Sequence, residues 1–334
     1  MMGCLRPKAI LHSKVKSLLM KEFSDISQYE KNTMTSKIVP FVLCDVFAER
    51  QFEGNQLAVI TDASMLTSDE MQKIASEFNF SESTFVLEAK KAYTHRIRIF
   101  TPTHEVPFAG HPNVGTAHVL ASDRNTLEFP INFKFQEDAG AVDVTVSESM
   151  NGIFCEIRAP EPLSIGASVK PNEIAEALGL THEDINTKLH APLIGSVGLP
   201  FILAGVSSRE VLASAEVNLP GFKNISERYP CRDILVYWID SNAVIHSRVF
   251  APFDNVPEDP ATGSANGALV ALLSSINADQ NYETKYTVHQ GDDMGRPCRL
   301  YLRVKKHATG DNEIFIGGCS MITGTGNLIL ETKS

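Results

Sequence analysis

The sequence predicts an α+β protein built as two similar halves, and three observations carry that expectation. The chain has 334 residues, enough for two domains at roughly 100–200 residues each. Short apolar or alternating runs outnumber helical patterns on both sides of its middle. One motif also occurs twice, 150 residues apart. Arg98-Ile99-Phe100-Thr101-Pro102, followed by Val106-Pro107, returns as Arg248-Val249-Phe250-Ala251-Pro252, followed by Val256-Pro257. In each copy a strand leads through a proline-bearing loop into a segment of small residues, opened by Gly110 and by Gly263. Two copies make a divergent duplication, not a solenoid.

Residues 1–37 stand outside this pattern. From Met1 to Met20 the charges are Arg6, Lys8, Lys14 and Lys16 with no acid. That faintly resembles a transit peptide, but one arginine supports it poorly. The segment reads as a variable extension, or as an upstream start ahead of Met34, and core-like alternation begins at Ile38. Phe41-Val42-Leu43-Cys44-Asp45-Val46-Phe47 reads as a buried strand. Thr67 and Glu70 form a capping box ahead of Met71, Ile74, Ala75 and Phe78 at helical spacing, with an end near Asn79. Thr84–Leu87 and Ile97–Phe100 read as strands, and alternation on both sides of Asn151-Gly152 predicts a hairpin.

In the second half, Pro171 starts a short helix that ends before Gly179. Ser208 caps a helix through Val211 and Leu212, and Ile234–Trp238 and Val244–Phe250 read as strands. The boundary falls near residue 158, giving halves of 38–157 and 158–320.

Composition narrows the function classes. The formal net charge is −10 and no block of Lys and Arg is present, which disfavours nucleic acid as a partner. No apolar run approaches the roughly 18 residues of a membrane helix. The six cysteines are scattered without a CxxC pair and read as free thiols in a reducing, cytoplasmic setting. None lies in either glycine segment, which disfavours a two-thiol racemase. There is no HExxH, P-loop or Rossmann glycine pattern, and Gly263-Ser264-Ala265-Asn266-Gly267 has the wrong spacing for GxSxG. His104, His111 and His118 repeat every seven residues, but Pro107 and Pro112 are expected to break a continuous helix there. No metal or cofactor is expected.

The two glycine segments are the candidate site. Phe108-Ala109-Gly110-His111-Pro112-Asn113 and Asp259-Pro260-Ala261-Thr262-Gly263-Ser264 each place glycine where a loop becomes a helix. Glycine lets a ligand approach the uncovered N–H groups of the first turn, which with the helix dipole favour a carboxylate. Bland roles fit the same residues. His111, held extended by Pro112, would fix a loop; Asp259 before Pro260 would order a turn; Ser264 would be a helix N-cap. Glu82, in Phe80-Ser81-Glu82-Ser83-Thr84-Phe85, is either a solvated loop carboxylate or one desolvated among aromatics, able to carry a proton near neutral pH.

In order along the chain, Gly54-Asn55-Gln56-Leu57-Ala58-Val59, Ser81-Glu82-Ser83-Thr84-Phe85-Val86, Pro107-Phe108-Ala109-Gly110-His111-Pro112, Glu258-Asp259-Pro260-Ala261-Thr262-Gly263-Ser264-Ala265 and Gln290-Gly291 resemble the PhzF-like family of phenazine biosynthesis, from about Ile38 to the C-terminus. The resemblance implies the diaminopimelate-epimerase-like fold, two halves each a curved sheet around a central helix. It also implies return of the tail, residues 321–334, to the first half, and a homodimer. The family's phenazine enzyme isomerises trans-2,3-dihydro-3-hydroxyanthranilate without a cofactor. By motif, its essential glutamate corresponds to Glu82, and its other site positions to Gly110, His111, Asp259, Gly263 and Ser264. The expected function is therefore proton transfer within a small acidic substrate, Glu82, His111 and Asp259 acting on it and Gly110, Gly263 and Ser264 binding it. An epimerase or racemase of the same fold and a non-enzymatic binding protein are the alternatives.

Overall fold

A computed structural model of the chain describes residues 36–124, 128–254, 256–277, 282–307 and 312–331. The predicted extension lies outside the described residues, save for Ser36 and Lys37, which open the first strand. Two compact units are distinguished, Met1–Val39 with Leu328–Ser334, and Pro40–Asn327. The described part of the first is the outer ends of two strands. Every candidate site residue belongs to the second.

The first run of elements is β1 (Ser36–Val46), β2 (Asn55–Ile60), α1 (Ser68–Phe78), β3 (Glu82–Leu87), β4 (His95–Phe100), β5 (Glu105–Val106), α2 (Gly110–Ser122), β6 (Ile131–Glu137), β7 (Gly140–Ser149) and β8 (Gly152–Arg158). The second run is β9 (Ser164–Ser168), α3 (Pro171–Ala177), β10 (Ile185–Asn186), β11 (Leu193–Ser196), β12 (Pro200–Val206), α4 (Arg209–Ser214), α5 (Leu219–Arg228), β13 (Ile234–Ile239), β14 (Ile245–Ala251), β15 (Val256–Asp259), α6 (Gly263–Ile276), β16 (Glu283–Gln290), β17 (Cys298–Lys305) and β18 (Glu313–Glu331).

The pairings of the first run recur in the second. β2 lies parallel to β3, β3 antiparallel to β4, β4 antiparallel to β5 and parallel to β6, and β6 antiparallel to β7. β12 lies parallel to β13, β13 antiparallel to β14, β14 antiparallel to β15 and parallel to β16, and β16 antiparallel to β17. Register is kept only in part: Ile99 faces Val106, whereas Val249 faces Asp259 and Val256 faces Ala251 across a register shift. β18 pairs with β17 and β8, and farther along Thr323 Oγ1 donates to the Leu43 carbonyl of β1.

The repeated motif has a physical reason. Arg98 holds Glu105 through both Nε and Nη2 at 2.6 Å, and Arg248 holds Glu258 in the same two-pronged way at 2.8 Å. Each guanidinium also lies over the phenylalanine two residues on, 5.0 Å from the Phe100 ring and 4.9 Å from Phe250. A planar fork that grips a carboxylate and stacks on a ring fixes the loop leading to the next helix. Arg and Phe therefore recur together with an acid seven to ten residues later.

Each curved sheet wraps a helix that is buried on nearly every side: α2 except for Leu120 and Ser122, and α6 from Gly263 through Leu272. Small residues let the strands close around them, and neither helix has a polar face. One core joins Val114 and Ala117 of α2 to Leu269 and Val270 of α6. A second core lies under α3, α4 and α5, around Ile174, Leu212 and Phe222. Strands β12 and β13 serve both: Leu203 and Leu235 face the first core, and their neighbours Ile202 and Ile234 the second. That two-sided burial explains their unbroken apolar runs. No helix among the described residues is long and apolar enough to cross a membrane.

Local expectations hold at several points. Thr67 and Glu70 complete the capping box of α1, whose C-cap is Asn79. Ser208 Oγ accepts from the Val211 N–H at α4. Ser149 faces Gly152 in the hairpin. Three expectations are corrected. His111 is helical, not extended, as the second residue of α2. Pro112 does not break that helix, because in the first turn its missing N–H forfeits no intrahelical bond, so His111 and His118 share one helix. Ser264 lies inside α6, and the N-cap is Thr262.

Candidate active site

Gly110 and Gly263, the first residues of α2 and α6, abut. A methyl group placed on Gly110 would stand 3.5 Å from the Gly263 Cα and 3.7 Å from the Ser264 nitrogen. No side chain caps either helix, so two sets of first-turn N–H groups open on one place. That place is a cavity of about 660 Å³, and all six predicted residues line it: Glu82, Gly110, His111, Asp259, Gly263 and Ser264. The volume suits a small molecule.

Glu82 opens β3, brought there by the parallel pairing of β3 with β2 after α1. His111 Nδ1 stands 3.5 Å from Glu82 Oε2, with 5% of the histidine side chain and 20% of the glutamate side chain exposed. Asp259 ends β15. Its Oδ1 accepts from Asn55 Nδ2 at 2.9 Å and Ser81 Oγ at 3.2 Å, and its Oδ2 from Thr262 Oγ1 at 2.5 Å. Gln290 supports the same corner, donating to the Asp259 carbonyl at 2.7 Å and accepting from the Thr262 N–H at 3.1 Å.

Burial sets the protonation states. Burial first, then the charge of Asp259, pushes the Glu82 carboxyl up to about 8. Burial also raises Asp259, to about 6, against the pull of Thr262, Ser81 and Asn55. Burial lowers His111 to about 3, opposed by a hydrogen bond with the Gln56 backbone. Burial thus favours keeping a proton on this pair of acids, beside a neutral imidazole. A carboxyl with its pKa near the working pH both takes and gives a proton readily.

Several contributors escaped the sequence reading. Asn55, Ser81, Thr262 and Gln290 all reach the Asp259 corner. Phe201, Tyr229, Cys231, Arg232 and Asp233 line the cavity from the second half. The Cys231 thiol donates to the Pro200 carbonyl at 3.1 Å, and burial pushes it up to about 11, so it is no base at neutral pH. The five described cysteines are buried thiols. Among the described residues, His246, His289 and Asp292 bring one ligand atom each within 4.8 Å. None of them lines the cavity, and Asp292 is already held by Arg299 at 2.9 Å.

Two wrapped helices meeting at a cavity lined by Glu82 and Asp259 fit the epimerase-like fold. The comparisons with known proteins agree. Residues 44–326 match the family model described as phenazine biosynthesis-like protein. The chain is 33% identical over 273 residues to the trans-2,3-dihydro-3-hydroxyanthranilate isomerase of Pseudomonas aeruginosa, covering 79% of this chain and 90% of that one. It is 32% identical over 304 residues to an uncharacterized isomerase of Mesorhizobium japonicum, covering 87% and 98%. A crystal structure of a PhzF-family protein from Bacillus anthracis superposes with a TM-score of 0.80 at 26% identity, over 87% of this chain and 99% of that one. A hydroxyproline epimerase from Agrobacterium vitis shares the fold at a TM-score of 0.62 and 10% identity, over 90% and 93%. The chain belongs to the PhzF family of phenazine biosynthesis-like isomerases.

Proposed function

We propose that this isomerase shifts a proton within a small carboxylate-bearing molecule, without a cofactor, and that Glu82 takes and returns that proton. The carrying observation is a half-buried Glu82 beside His111, in one cavity with the uncapped N-termini of α2 and α6. Ionised Glu82 removes a proton from an activated carbon. The C–H electron pair moves into the adjacent unsaturated system. N–H groups at Gly110, Gly263 and Ser264 hold the substrate carboxylate and the charge that develops. Glu82 then returns the proton to another carbon on the same face, and the double bond moves. Neutral His111 and Asp259 hydrogen-bond the substrate's polar groups and hold it in line.

The first molecule to test is trans-2,3-dihydro-3-hydroxyanthranilate, named for the Pseudomonas relative. Wild type and Glu82→Gln are incubated with it in D₂O. Product with a shifted double bond and solvent deuterium, formed by wild type only, is expected. No consumption by folded wild type removes this substrate. Product formed equally by Glu82→Gln removes the assigned base.

One observation favours a second reading. Glu82 and Asp259 approach the cavity from different halves, an arrangement that also serves epimerisation. Deuterium entering a stereocentre without a double-bond shift selects it.

A further inference from the structure

Gln290 has a counterpart in the first half, and it is an acid. The parallel pairing of β14 with β16 sets Ser247 beside Gln290. The matching pairing of β4 with β6 sets Arg96 beside Gln136, which brings Ile97, the equivalent of Ser247, level with Glu137. The helices correspond as well. Asn266 Nδ2 donates to the Thr262 carbonyl at 2.9 Å, and Asn113 Nδ2 donates to the Ala109 carbonyl at 2.9 Å. Gln290 uses both ends of its amide at the foot of α6. Its oxygen accepts from Asn266 Nδ2 at 2.6 Å and from the Thr262 N–H, and its nitrogen donates to the Asp259 carbonyl. A carboxylate accepts only, whereas a carboxylic acid, like an amide, offers a donor on one side and an acceptor on the other.

We propose that Glu137 is held as a neutral carboxylic acid and is a positioning residue for α2, filling in the first half the role of Gln290 in the second. Glu137 is 6% exposed. Asn113 Oδ1 has no hydrogen-bond partner among the described residues, and the Glu137 carboxyl has none but the weak approach of the Asn113 amide. Leaving a charged carboxylate there is costly, and a proton removes the charge and adds a donor. Burial raises the Glu137 carboxyl to about 8, with the Asn113 amide pulling down and the Asp138 charge pushing up. The charges on the elements packed around it bring no counterion. Arg96 of β4 is paired with Asp138 at 3.7 Å, and Arg98 with Glu105. Asp143 of β7 is exposed opposite Lys134, and burial keeps His118 of α2 neutral, at about 4.

The significance for catalysis rests on reading Gly110 and His111 as site residues; the protonation state does not. Unfolding of wild type and Glu137→Gln is measured from pH 4 to 9. The acid has its ordinary value near 4.5 in the unfolded chain and about 8 in the folded one. Its protonated folded state is therefore undermined as pH rises across that window. The unfolding constant of wild type relative to Glu137→Gln should climb about tenfold per pH unit between roughly pH 5 and 8, then level off. A ratio independent of pH overturns the neutral acid, whether or not any substrate is turned over. In turnover, Glu137→Ala should lose about tenfold in kcat with KM little changed, and Glu137→Gln should restore it. Wild-type kcat in Glu137→Ala, or equal losses in both variants, overturns the positioning role. Should the alanine variant not fold, the pH series of Glu137→Gln still decides the protonation state, and a tenfold loss of kcat in Glu137→Gln overturns the positioning role.

Discussion

The N-termini of α2 and α6 share a construction and differ in completeness. Each begins with glycine, lacks a side-chain cap, and has an asparagine on its fourth residue that donates to the N-cap carbonyl. In α6 that asparagine is saturated: Asn266 also donates to Gln290 and accepts from Ser247 Oγ at 2.9 Å. In α2 the equivalent groups are left open. Asn113 Oδ1 and His111 Nε2 lack partners among the described residues, and Glu137 has none but the weak approach of the Asn113 amide. Buried polar atoms in a settled core are almost always paired. The second half thus keeps a finished frame that steadies Asp259, and the first half departs from it where Glu82 and His111 sit.

The sharpest break of this comparison is Glu82→Gln. If the first half supplies the proton-moving group, kcat should fall about a thousandfold, while an amide replaces the acid without loss of fold. Stability separates the two explanations of such a loss. The folded pKa of Glu82 is raised, so its contribution to stability is lost as pH rises from about 4.5 to about 8. Glu82→Gln should match wild type at pH 4 and exceed it in melting temperature at pH 8. A fall at both pH values would mark a structural defect. In wild type, kcat/KM should rise with pH up to about 8, because a base must first be ionised. A decline over the same range would make Glu82 the initial acid instead.

The glycines come next in size. Gly110→Ala finds room against Gly263, at ordinary contact distance. Alanine in a helix is favoured over glycine by about 0.5–1 kcal/mol, so the melting temperature should hold or rise. The methyl group lies 3.7 Å from the Ser264 nitrogen, and kcat/KM should fall about a hundredfold if those N–H groups bind developing charge. Gly263→Ala differs, because its methyl meets Ile316 Cγ2 at 3.2 Å. It should lose stability as well as activity. Equal stability effects would erase this difference between the helices.

What the sequence disclosed follows from how local each feature is. The capping box at Thr67 and Glu70 acts within four residues, and it was legible. The Arg-Phe motif was legible as a repeat, although its purpose, gripping Glu105 and Glu258, became plain only in the fold. Helices α2 and α6 show no helical periodicity because they are buried on all sides, and only their glycines and the duplication betrayed them. Helix α5 went unread, although Asn218 caps it and a proline stands in its first turn. Strand β17 alternates cleanly and also went unread. The groups around Asp259 were out of reach, since Ser81 lies 178 residues away and Asn55 lies 204. Nothing in a single chain position announces such partners. The cavity wall of Phe201, Tyr229, Arg232 and Asp233 carries no motif, which leaves the choice of substrate as the part least visible in the sequence.

The smallest effect tests the asymmetry most directly, because it touches only the two asparagines. Asn266→Ala removes donors to the Thr262 carbonyl and to Gln290, and strands the buried Ser247 hydroxyl. With several partners orphaned, the loss should be about 2–4 kcal/mol in urea denaturation. Asn113→Ala removes the bond to the Ala109 carbonyl and the weak approach to Glu137, and also removes an oxygen that had no partner. The expected loss is about 1 kcal/mol. Equal losses would mean that Asn113 is as fully engaged as Asn266, and the first half would no longer stand apart as the unfinished one. Unequal losses of this sign would locate the stable frame in the second half, with the first free to diverge around Glu82 and His111.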